Sequence, residues 1–293
     1  MNYFDRGIRK IEAYTYTKRM KRLLCTDETV NTKPRDIEVI ASLTSFPARF
    51  ETLPLVIESI FRQTYKPDKI CLYLDKNVTE DQIPEQLQKL RDKGLSIIIG
   101  GEDIRSHKKY YYAMIDNPDA VVITFDDDDL YRNDTIEKLM RSYKRYPECV
   151  SCMRAHEMVF GNENEIRPYK EWNFVSTKFA GNPRMDLLAT GVGGVLYPPR
   201  CMSDKLFDLD MIHKLDCVSD DIWLKVMQIL KGTRVIEVES KKRLANPLPT
   251  KSTRVGALTV DLGSYGRNDE HLKLLSEEYK IDLYKVVKEG ESE

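Results

Sequence analysis

The stretch VVITFDDDDLY, residues 121–131, places four consecutive aspartates directly after a run of apolar and β-branched residues. Such a run predicts a strand that is buried on both faces of a parallel sheet. At a separation of about 4 Å and a dielectric constant like that of a protein surface, each pair of carboxylates repels by about 4 kcal/mol. A chain that ends a buried strand with this much charge needs something to offset the repulsion.

The segments before this stretch alternate between strand and helix patterns. Apolar β-rich runs predict strands, and apolar residues three or four apart predict helices. The predicted strands are IEVIASLTSF (37–46), KICLYLD (69–75), LSIIIGG (95–101) and AVVITF (120–125), and the predicted helices are LPLVIESIFRQ (53–63), EQLQKLRDKG (85–94) and KKYYYAMID (108–116). This order predicts βαβ units and an α/β fold with a mostly parallel, Rossmann-like sheet flanked by helices.

The four aspartates follow a strand, at the edge where open α/β sheets bind their ligands. Carboxylate oxygens suit Mg²⁺ or Mn²⁺, and a divalent cation offsets their repulsion. The alternative is a solvated acidic turn that caps a helix beginning near Asn133 and Asp134, for which one carboxylate is enough. Because Mg²⁺ is usually shared between carboxylates and substrate phosphates, a nucleotide diphosphate is the expected ligand. The sequence has no GxxxxGK[ST] and no GxGxxG after the first strand, so the phosphates must be held by the metal and by scattered basic residues.

These features resemble the nucleotide-binding half of GT-A glycosyltransferases of the bacterial family-2 kind. The resemblance rests on the first strand, on ESIFRQTYKPDKICLYLD (58–75) and on AVVITFDDDDLY, and it extends over roughly residues 37–240. It implies a DxD motif, here Asp126 and Asp128, that holds Mn²⁺ or Mg²⁺ on the diphosphate of a sugar nucleotide, with a UDP-sugar as the first expectation. The neighbouring aspartates Asp127 and Asp129 could share this role, and Asp127 is expected to contact the donor.

The resemblance also implies a catalytic base in the second half. In the family, the second member of an acidic pair takes the proton from the acceptor hydroxyl. The stretch SDDIWLKVMQILKG (219–232) matches that pair, which assigns the base to Asp221, with Asp220 as the second candidate. The alternative is that both acids only cap the helix that Ser219 begins.

Glycines and basic residues supply further candidates for donor binding. The segment ATGVGGVLYPP (189–199) is similar to the family segment beneath the sugar, where Gly193 and Gly194 would let the backbone approach a ligand; an ordinary β-turn is the alternative. Arg49 follows the first strand, where the family binds the nucleoside, and Lys108 follows the third strand. Either basic side chain could instead be a solvated surface charge.

A late segment, SYGRNDEHLKLL (264–275), adds polar residues that could contact phosphate or metal. These residues are Arg267, Asn268, Asp269 and His271. The alternative is that Asn268 or Asp269 only caps a helix.

The six cysteines fit a reducing compartment. Cys149 and Cys152 lie in CVSCMRA (149–155), which has the pattern of a strand, so a spacing of three sends their side chains to opposite faces. His156 is nearby, but no second cysteine pair completes a metal site. We therefore predict reduced structural thiols.

Charge and length suggest how the 293 residues are organised. The net charge of -1 gives no signature of nucleic-acid binding. Residues 1–24 are an exception, with seven Lys/Arg and two Asp/Glu.

We predict a basic helical extension at 1–35, a GT-A domain at 36–262 and a C-terminal helical segment at 263–293. Within the GT-A domain, residues 36–132 form the nucleotide-sugar-binding half and residues 133–262 the acceptor and catalytic half.

The chain has no apolar run near the roughly 18 residues of a membrane span, and its N-terminus lacks the apolar core of a signal peptide. We therefore expect a cytoplasmic protein. Residues 1–24 are expected to contact an anionic membrane surface peripherally, with a solvated helix as the alternative.

Together, these expectations describe a metal-dependent glycosyltransferase that uses a nucleoside-diphosphate sugar. The acceptor is expected to be a glycan or lipid-linked oligosaccharide of a bacterial surface polysaccharide, with transfer by inversion. A haloacid-dehalogenase phosphohydrolase also has a DxD after a strand, but expects it near the start of the domain and a Thr or Val where Leu130 stands. A cation-binding module would need a D-x-D-x-D-G loop. A nucleotidyltransferase would need a Gly- and Arg-rich first loop, which TSFPARF (44–50) does not provide.

Overall fold

A computed structural model of the chain describes residues 27–174, 177–216, 218, 220–238, 245–248 and 265–292, with three isolated positions before residue 27. Nearly all of the basic segment 1–24 and the predicted N-cap Ser219 lie outside the described residues. So do 239–244 and 249–264, which contain most of the loop before the last predicted helix.

The strands of the described residues are β1 (Val39–Thr44), β2 (Lys69–Asp75), β3 (Leu95–Gly101), β4 (Val121–Phe125), β5 (Asp129–Tyr131), β6 (Val150–Cys152), β7 (Ala155–Glu157), β8 (Asn173–Phe174), β9 (Leu187–Ala189), β10 (Val195–Tyr197), β11 (Val235–Glu237) and β12 (Ala245–Pro247). The helices are α1 (Leu53–Phe61), α2 (Glu85–Arg91), α3 (Lys108–Asp116), α4 (Thr135–Arg145), α5 (Leu209–Lys214), α6 (Asp220–Lys231), α7 (Tyr265–Glu278) and α8 (Leu283–Ser292). Short 3-10 turns, such as Pro47–Arg49 and Tyr169–Glu171, connect them.

The central sheet has seven strands in the order β11-β6-β10-β4-β1-β2-β3. Neighbouring strands are parallel, except that β10 runs antiparallel to both β4 and β6. The predicted α/β fold with a mostly parallel sheet flanked by helices is confirmed. The sequence did not reveal the reversed strand, because three residues between glycines and prolines carry no signal of strand direction.

Helices cover both faces of the sheet. Val39, Ala41 and Leu43 of β1 pack in the core cluster that contains α1, α2 and α4. The alternating residue Ile40 packs on the opposite face, in a cluster with Ala113 of α3, as the two-residue period of a strand requires. Each buried Leu, Ile or Val contributes about 1.5–3 kcal/mol relative to exposure, so both layers hold the sheet in place.

The second half of the chain builds its own core against the sheet. Trp223 and Val226 of α6 are fully buried there, together with Leu275 of α7 and Val287 of α8. The C-terminal helices therefore pack in the same core as the helix that carries the acidic pair. Among the described residues, no helix is long and apolar enough to span a bilayer.

Two small sheets lie beyond the carboxyl edge of the central one. The predicted strand CVSCMRA is in fact two strands, since β6 belongs to the central sheet and β7 pairs antiparallel with β8 and β9. β12 pairs antiparallel with β5, and the Leu248 N–H donates to the Asp128 carbonyl at 2.9 Å. A segment late in the chain is thus attached to the backbone of the aspartate run.

The predicted elements of the first half agree closely with the structure. KICLYLD, LSIIIGG and KKYYYAMID coincide with β2, β3 and α3. α1 ends at Phe61, two residues earlier than predicted. The side chain of Gln63 donates to the Ser59 and Arg132 carbonyls, which fixes the chain after the helix.

Candidate active site

The four aspartates alternate between two environments. The side chains of Asp126 and Asp128 are 26% and 35% exposed, while Asp127 and Asp129 are buried. Asp127 accepts hydrogen bonds from the Ser45 hydroxyl at 2.6 Å and from Arg49. Its two oxygens are therefore engaged by the protein, and the outward-facing carboxylates are those of the predicted D-x-D pair.

The aspartates also act on one another electrostatically. Burial and, next, the Asp126 carboxylate raise the pKa of Asp128 to about 6 and that of Asp129 to about 7. Arg49 opposes the rise at Asp128, and its guanidinium lies 3.4 Å from an Asp128 oxygen. The repulsion expected from the sequence is thus partly offset by Arg49 and partly expressed as raised pKa values.

The outward carboxylates suit a cation that is shared with a ligand. Within the described parts of the chain, no group of three His, Cys, Asp or Glu side chains is placed to hold a metal. Two carboxylates and phosphate oxygens are the ligands with which Mg²⁺ is usually held, so Asp126 and Asp128 fit such a cation. Their role as metal ligands stays a prediction.

Arg49 lies deeper than a surface residue would. It belongs to the 3-10 turn after β1 and is 7% exposed. Its guanidinium pairs with Asp127 and stands 5.3 Å from the centre of the Phe46 ring. Arg49 therefore ties the loop after β1 to the loop after β4, and a direct contact with a nucleoside remains a prediction.

Lys109 links the two acidic groups of the site. Its Nζ lies 2.8 Å from Asp126 Oδ1 and 3.0 Å from Asp220 Oδ2, and the residue is 6% exposed. Burial disfavours the ammonium, but Asp126 and Asp220 raise the pKa of Lys109 well above its ordinary value. A permanently charged, buried cation thus joins the end of β4 to the start of α6.

The two acids at the start of α6 differ in environment. Asp220 is buried; burial works to raise its pKa, but the Lys109 ammonium holds that pKa below its ordinary value. Asp221 is partly exposed. Burial of its carboxylate and repulsion from Asp220 raise the pKa of Asp221 to about 7, while Lys109 opposes the rise. Asp221 therefore holds its proton more readily than an ordinary aspartate, whereas Lys109 favours the ionised form of Asp220.

Lys108 belongs to a different part of the same edge. It is 3% exposed, and its Nζ lies 2.6 Å from Asp103 Oδ1 and 3.7 Å from Asp75 Oδ2. Asp75 ends β2 and Asp103 follows β3. The structure therefore places Lys108 beside the carboxyl ends of the outer strands, away from the aspartate run.

The glycine-rich segment connects β9 to β10. Gly193 and Gly194 adopt φ angles of 89° and 102°, a backbone region that favours glycine. Gly191, which the sequence analysis did not single out, makes the closer approach: a Cβ there would lie 2.9 Å from Asp126 Oδ2. This turn is thus in direct contact with the first aspartate of the D-x-D pair.

Of the remaining candidates, some are buried and others are partly exposed. His107 is buried, hydrogen-bonded to the Tyr110 hydroxyl, and burial lowers its pKa to about 4. Asp269 accepts a hydrogen bond from the Tyr169 N–H at 2.7 Å. Arg267 lies 3.5 Å from Asp216. Cys149 and Cys152 are free thiols, and burial raises the pKa of both.

A family comparison decides what kind of protein carries this site. Residues 45–195, more than half of the chain, match the family described as Glycosyl transferase family 2. The chain belongs to glycosyltransferase family 2. The matched range of this glycosyltransferase begins at Ser45, which bonds Asp127, and includes the aspartate run and Gly191. It ends before Asp221.

The glycosyltransferase is also similar to several solved structures. TarS of S. aureus, residues 1–349 in complex with UDP, is 14% identical over 84% of this chain and 72% of that chain, with a TM-score of 0.48. Mannosyltransferase PcManGT from Pyrobaculum calidifontis, in complex with GDP-Man and Mn²⁺, is 14% identical over 98% and 89%, with a TM-score of 0.42. GalNAc-T7 with UDP, GalNAc and Mn²⁺ is 11% identical over 89% and 62%, with a TM-score of 0.45. None of the curated proteins matches the chain.

Two charged residues of the glycosyltransferase were missed by sequence reasoning. Lys109 was passed over for Lys108, although adjacent residues at a helix start point about 100° apart. Arg154 follows β6, and its charge lowers the pKa of both Asp129 and Asp221 against the larger effect of their burial. Sequence reasoning placed Arg154 inside the predicted strand CVSCMRA, whereas the structure places it between β6 and β7, so nothing in the sequence singled it out.

Proposed function

We propose that this glycosyltransferase moves a sugar from a nucleoside diphosphate, with UDP as the first expectation, to a hydroxyl of a glycan or lipid-linked oligosaccharide of a bacterial surface polysaccharide. The observation that carries the proposal is that two acidic groups meet at one edge of the sheet. Asp126 and Asp128 face outward after β4, and Lys109 joins Asp126 to the start of α6. A donor held at the first group would present its sugar to the second.

Donor binding is proposed to use the residues around β1 and β4. Asp126 and Asp128 would hold Mn²⁺ or Mg²⁺, which neutralises the charge of the departing diphosphate when it is bound. Arg49 and Ser45 fix Asp127 in the buried position, so the loop presents the outward pair in one orientation. Lys108, with Asp75 and Asp103, would form the wall on the nucleoside side.

Asp221 is proposed as the base. A neutral hydroxyl is a poor nucleophile, so the acceptor must lose its proton as it attacks the anomeric carbon, and a carboxylate is suited to take that proton. General bases work best when their pKa lies near the operating pH, and the pKa of Asp221 is raised to about 7 by burial and by Asp220. One displacement with a protein base implies inversion.

The first test is the metal dependence of nucleotide binding. Calorimetry of UDP with the full chain should show binding that requires Mn²⁺ or Mg²⁺, because two carboxylates alone repel a diphosphate. Asp128→Ala should remove that dependence. Asp119→Ala is the matched control, because Asp119 is exposed at the opposite edge and pairs with Arg200. Equal affinity for UDP with EDTA present would refute the proposed donor site.

A pH profile of transfer tests the base. A carboxyl whose pKa is raised in the fold is protonated below that value, so the active form of Asp221 should increase as pH rises through about 7. The transfer rate at saturating donor is expected to rise between pH 6 and 8 and then level off, which a discontinuous assay in overlapping buffers would measure. A rate that is flat across this range would argue against Asp221 as the base.

Peripheral membrane contact at the cytoplasmic face is proposed from sequence alone. Residues 1–24 carry a strong excess of Lys and Arg, and each Lys or Arg near an anionic membrane surface gains about 1 kcal/mol. The full chain is expected to co-sediment with anionic vesicles at low salt, and a chain lacking residues 1–24 should stay in the supernatant. Equal sedimentation of the two would disprove the contact.

A further inference from the structure

Arg154 lies at the junction between the central sheet and the small sheet β8-β7-β9. Its Nε donates to the Thr190 hydroxyl at 2.6 Å, and the Thr190 N–H donates to the Arg154 carbonyl at 3.1 Å. Thr190 is buried and directly precedes Gly191, which touches Asp126. One edge of the guanidinium is thus anchored to the same turn that supports the aspartate run.

The rest of the guanidinium has no protein partner among the described residues. Arg154 forms no ion pair with any described carboxylate, whereas Arg49 pairs with Asp127 and Arg184 with Asp186. Arg154 is partly exposed, and its terminal nitrogens are not among the buried polar atoms that lack a hydrogen-bond partner, so they can be reached from solvent. The guanidinium is fixed at Nε, but its two terminal nitrogens have no hydrogen-bond partner among the described residues. A guanidinium in this state can bind an anion with two parallel hydrogen bonds.

Arg154 also acts electrostatically on the proposed base, Asp221. It lowers the pKa of Asp221 and of Asp129, although burial raises both overall. The outward Asp128 is instead influenced by Arg49 and Lys109. Arg49 and Lys109 are already paired with the aspartates after β4, whereas Arg154 acts on Asp221 without an ion pair of its own among the described residues.

We propose that Arg154 and Thr190 form an acceptor subsite that binds an anionic group, a phosphate or a carboxylate, close to the hydroxyl that receives the sugar. This rests on the proposed function, since it takes Asp221 as the base. The anion would accept hydrogen bonds from both terminal nitrogens of Arg154. Thr190 acts as a positioning residue because it touches the guanidinium and not the ligand.

The binding test needs no donor. Glucose, glucuronate and glucose 6-phosphate share one ring and differ only at C6, and their affinities for the full chain can be measured by titration with NMR detection. The two anionic probes are expected to bind about 10–100-fold more tightly than glucose, the range of a hydrogen bond to a charged group. Arg154→Gln should remove this preference, and Arg154→Lys should restore part of it.

Arg200→Gln is the matched control, because Arg200 is exposed and pairs with Asp119 away from the site. It should keep the preference. The subsite is refuted if the wild type binds neither anionic probe more tightly than glucose. It is also refuted if Arg154→Gln keeps the preference for the anionic probes. A preference for only one of the two anions identifies which acidic group is bound.

A second measurement separates this subsite from the donor site. UDP binding with Mn²⁺ should be nearly the same in Arg154→Gln and the wild type, because Arg154 is assigned to the acceptor. A large loss of UDP affinity would mean that Arg154 binds the diphosphate, which overturns the acceptor assignment. If the wild type does not bind UDP at all, the proposed function fails, yet the titrations with sugar acids still report on the anion site.

Discussion

Replacing Asp221 with asparagine is expected to lower the rate of sugar transfer by about 10²–10⁴-fold, the usual contribution of a general base. Asparagine keeps the size of the side chain, and the start of α6 retains Asp220, so the fold should be preserved. The affinity for UDP with Mn²⁺ should change little, because Asp221 is assigned to the acceptor. The measurement is the rate at saturating donor, with calorimetry of UDP on the same preparation.

Asp220→Asn is the matched control, because it makes the same substitution at the adjacent acid. Asp220 pairs with Lys109 at 3.0 Å and is expected to cost less in rate. After burial, repulsion from Asp220 is the next cause of the raised pKa of Asp221, so Asp220→Asn should also move the pH midpoint of transfer downward. Transfer by Asp221→Asn at close to the wild-type rate would place the base elsewhere, with Asp220 as the next candidate or with retention and no protein base.

The second large effect is expected at Asp127, and it concerns stability. Asp127→Ala leaves Arg49 buried without its main partner, and removing one member of a buried ion pair typically costs about 3–5 kcal/mol. Asp128→Ala removes the same charge one residue later, from a side chain that is 35% exposed. Because Asp128 is repelled by its neighbours, its loss should cost less than about 1 kcal/mol in the free energy of unfolding.

Urea unfolding of the two variants compares these costs directly. The same preparations then serve for UDP binding, where the order should reverse: Asp128→Ala loses metal-dependent affinity, while folded Asp127→Ala keeps the outward pair. Equal loss of stability in both variants would contradict the division into buried and outward aspartates.

This division shows where sequence reasoning stops. Four identical residues in a row carry no pattern, so nothing in the letters separates Asp127 from Asp128. The separation comes from Ser45 and Arg49, which lie about 80 positions earlier and engage Asp127. Lys108 and Lys109 pose the same problem, since a helix start fixes their relative angle but not the direction in which the pair points.

The fold of the first half was predictable because its sequence does carry a pattern. The strands β1, β2 and β4 are continuous apolar runs, and each helix between them has apolar residues at helical spacing. Local pattern and tertiary burial agree there. In the second half, the strands β7, β9 and β10 have three residues each, and such short segments have no period to detect. Their positions are set by the neighbours they pair with.

The reversed strand β10 also determines the order in which the molecule can be assembled. β1 to β4 are contiguous neighbours in the sheet, so they can pair with one another before any later strand has been made. β6 is made before β10 but lies beyond it in the sheet, so it has no neighbour in the central sheet until residues 195–197 exist. A nascent chain can therefore pair β1 to β4 before β6 and β10, with Arg154 just after β6, join the sheet.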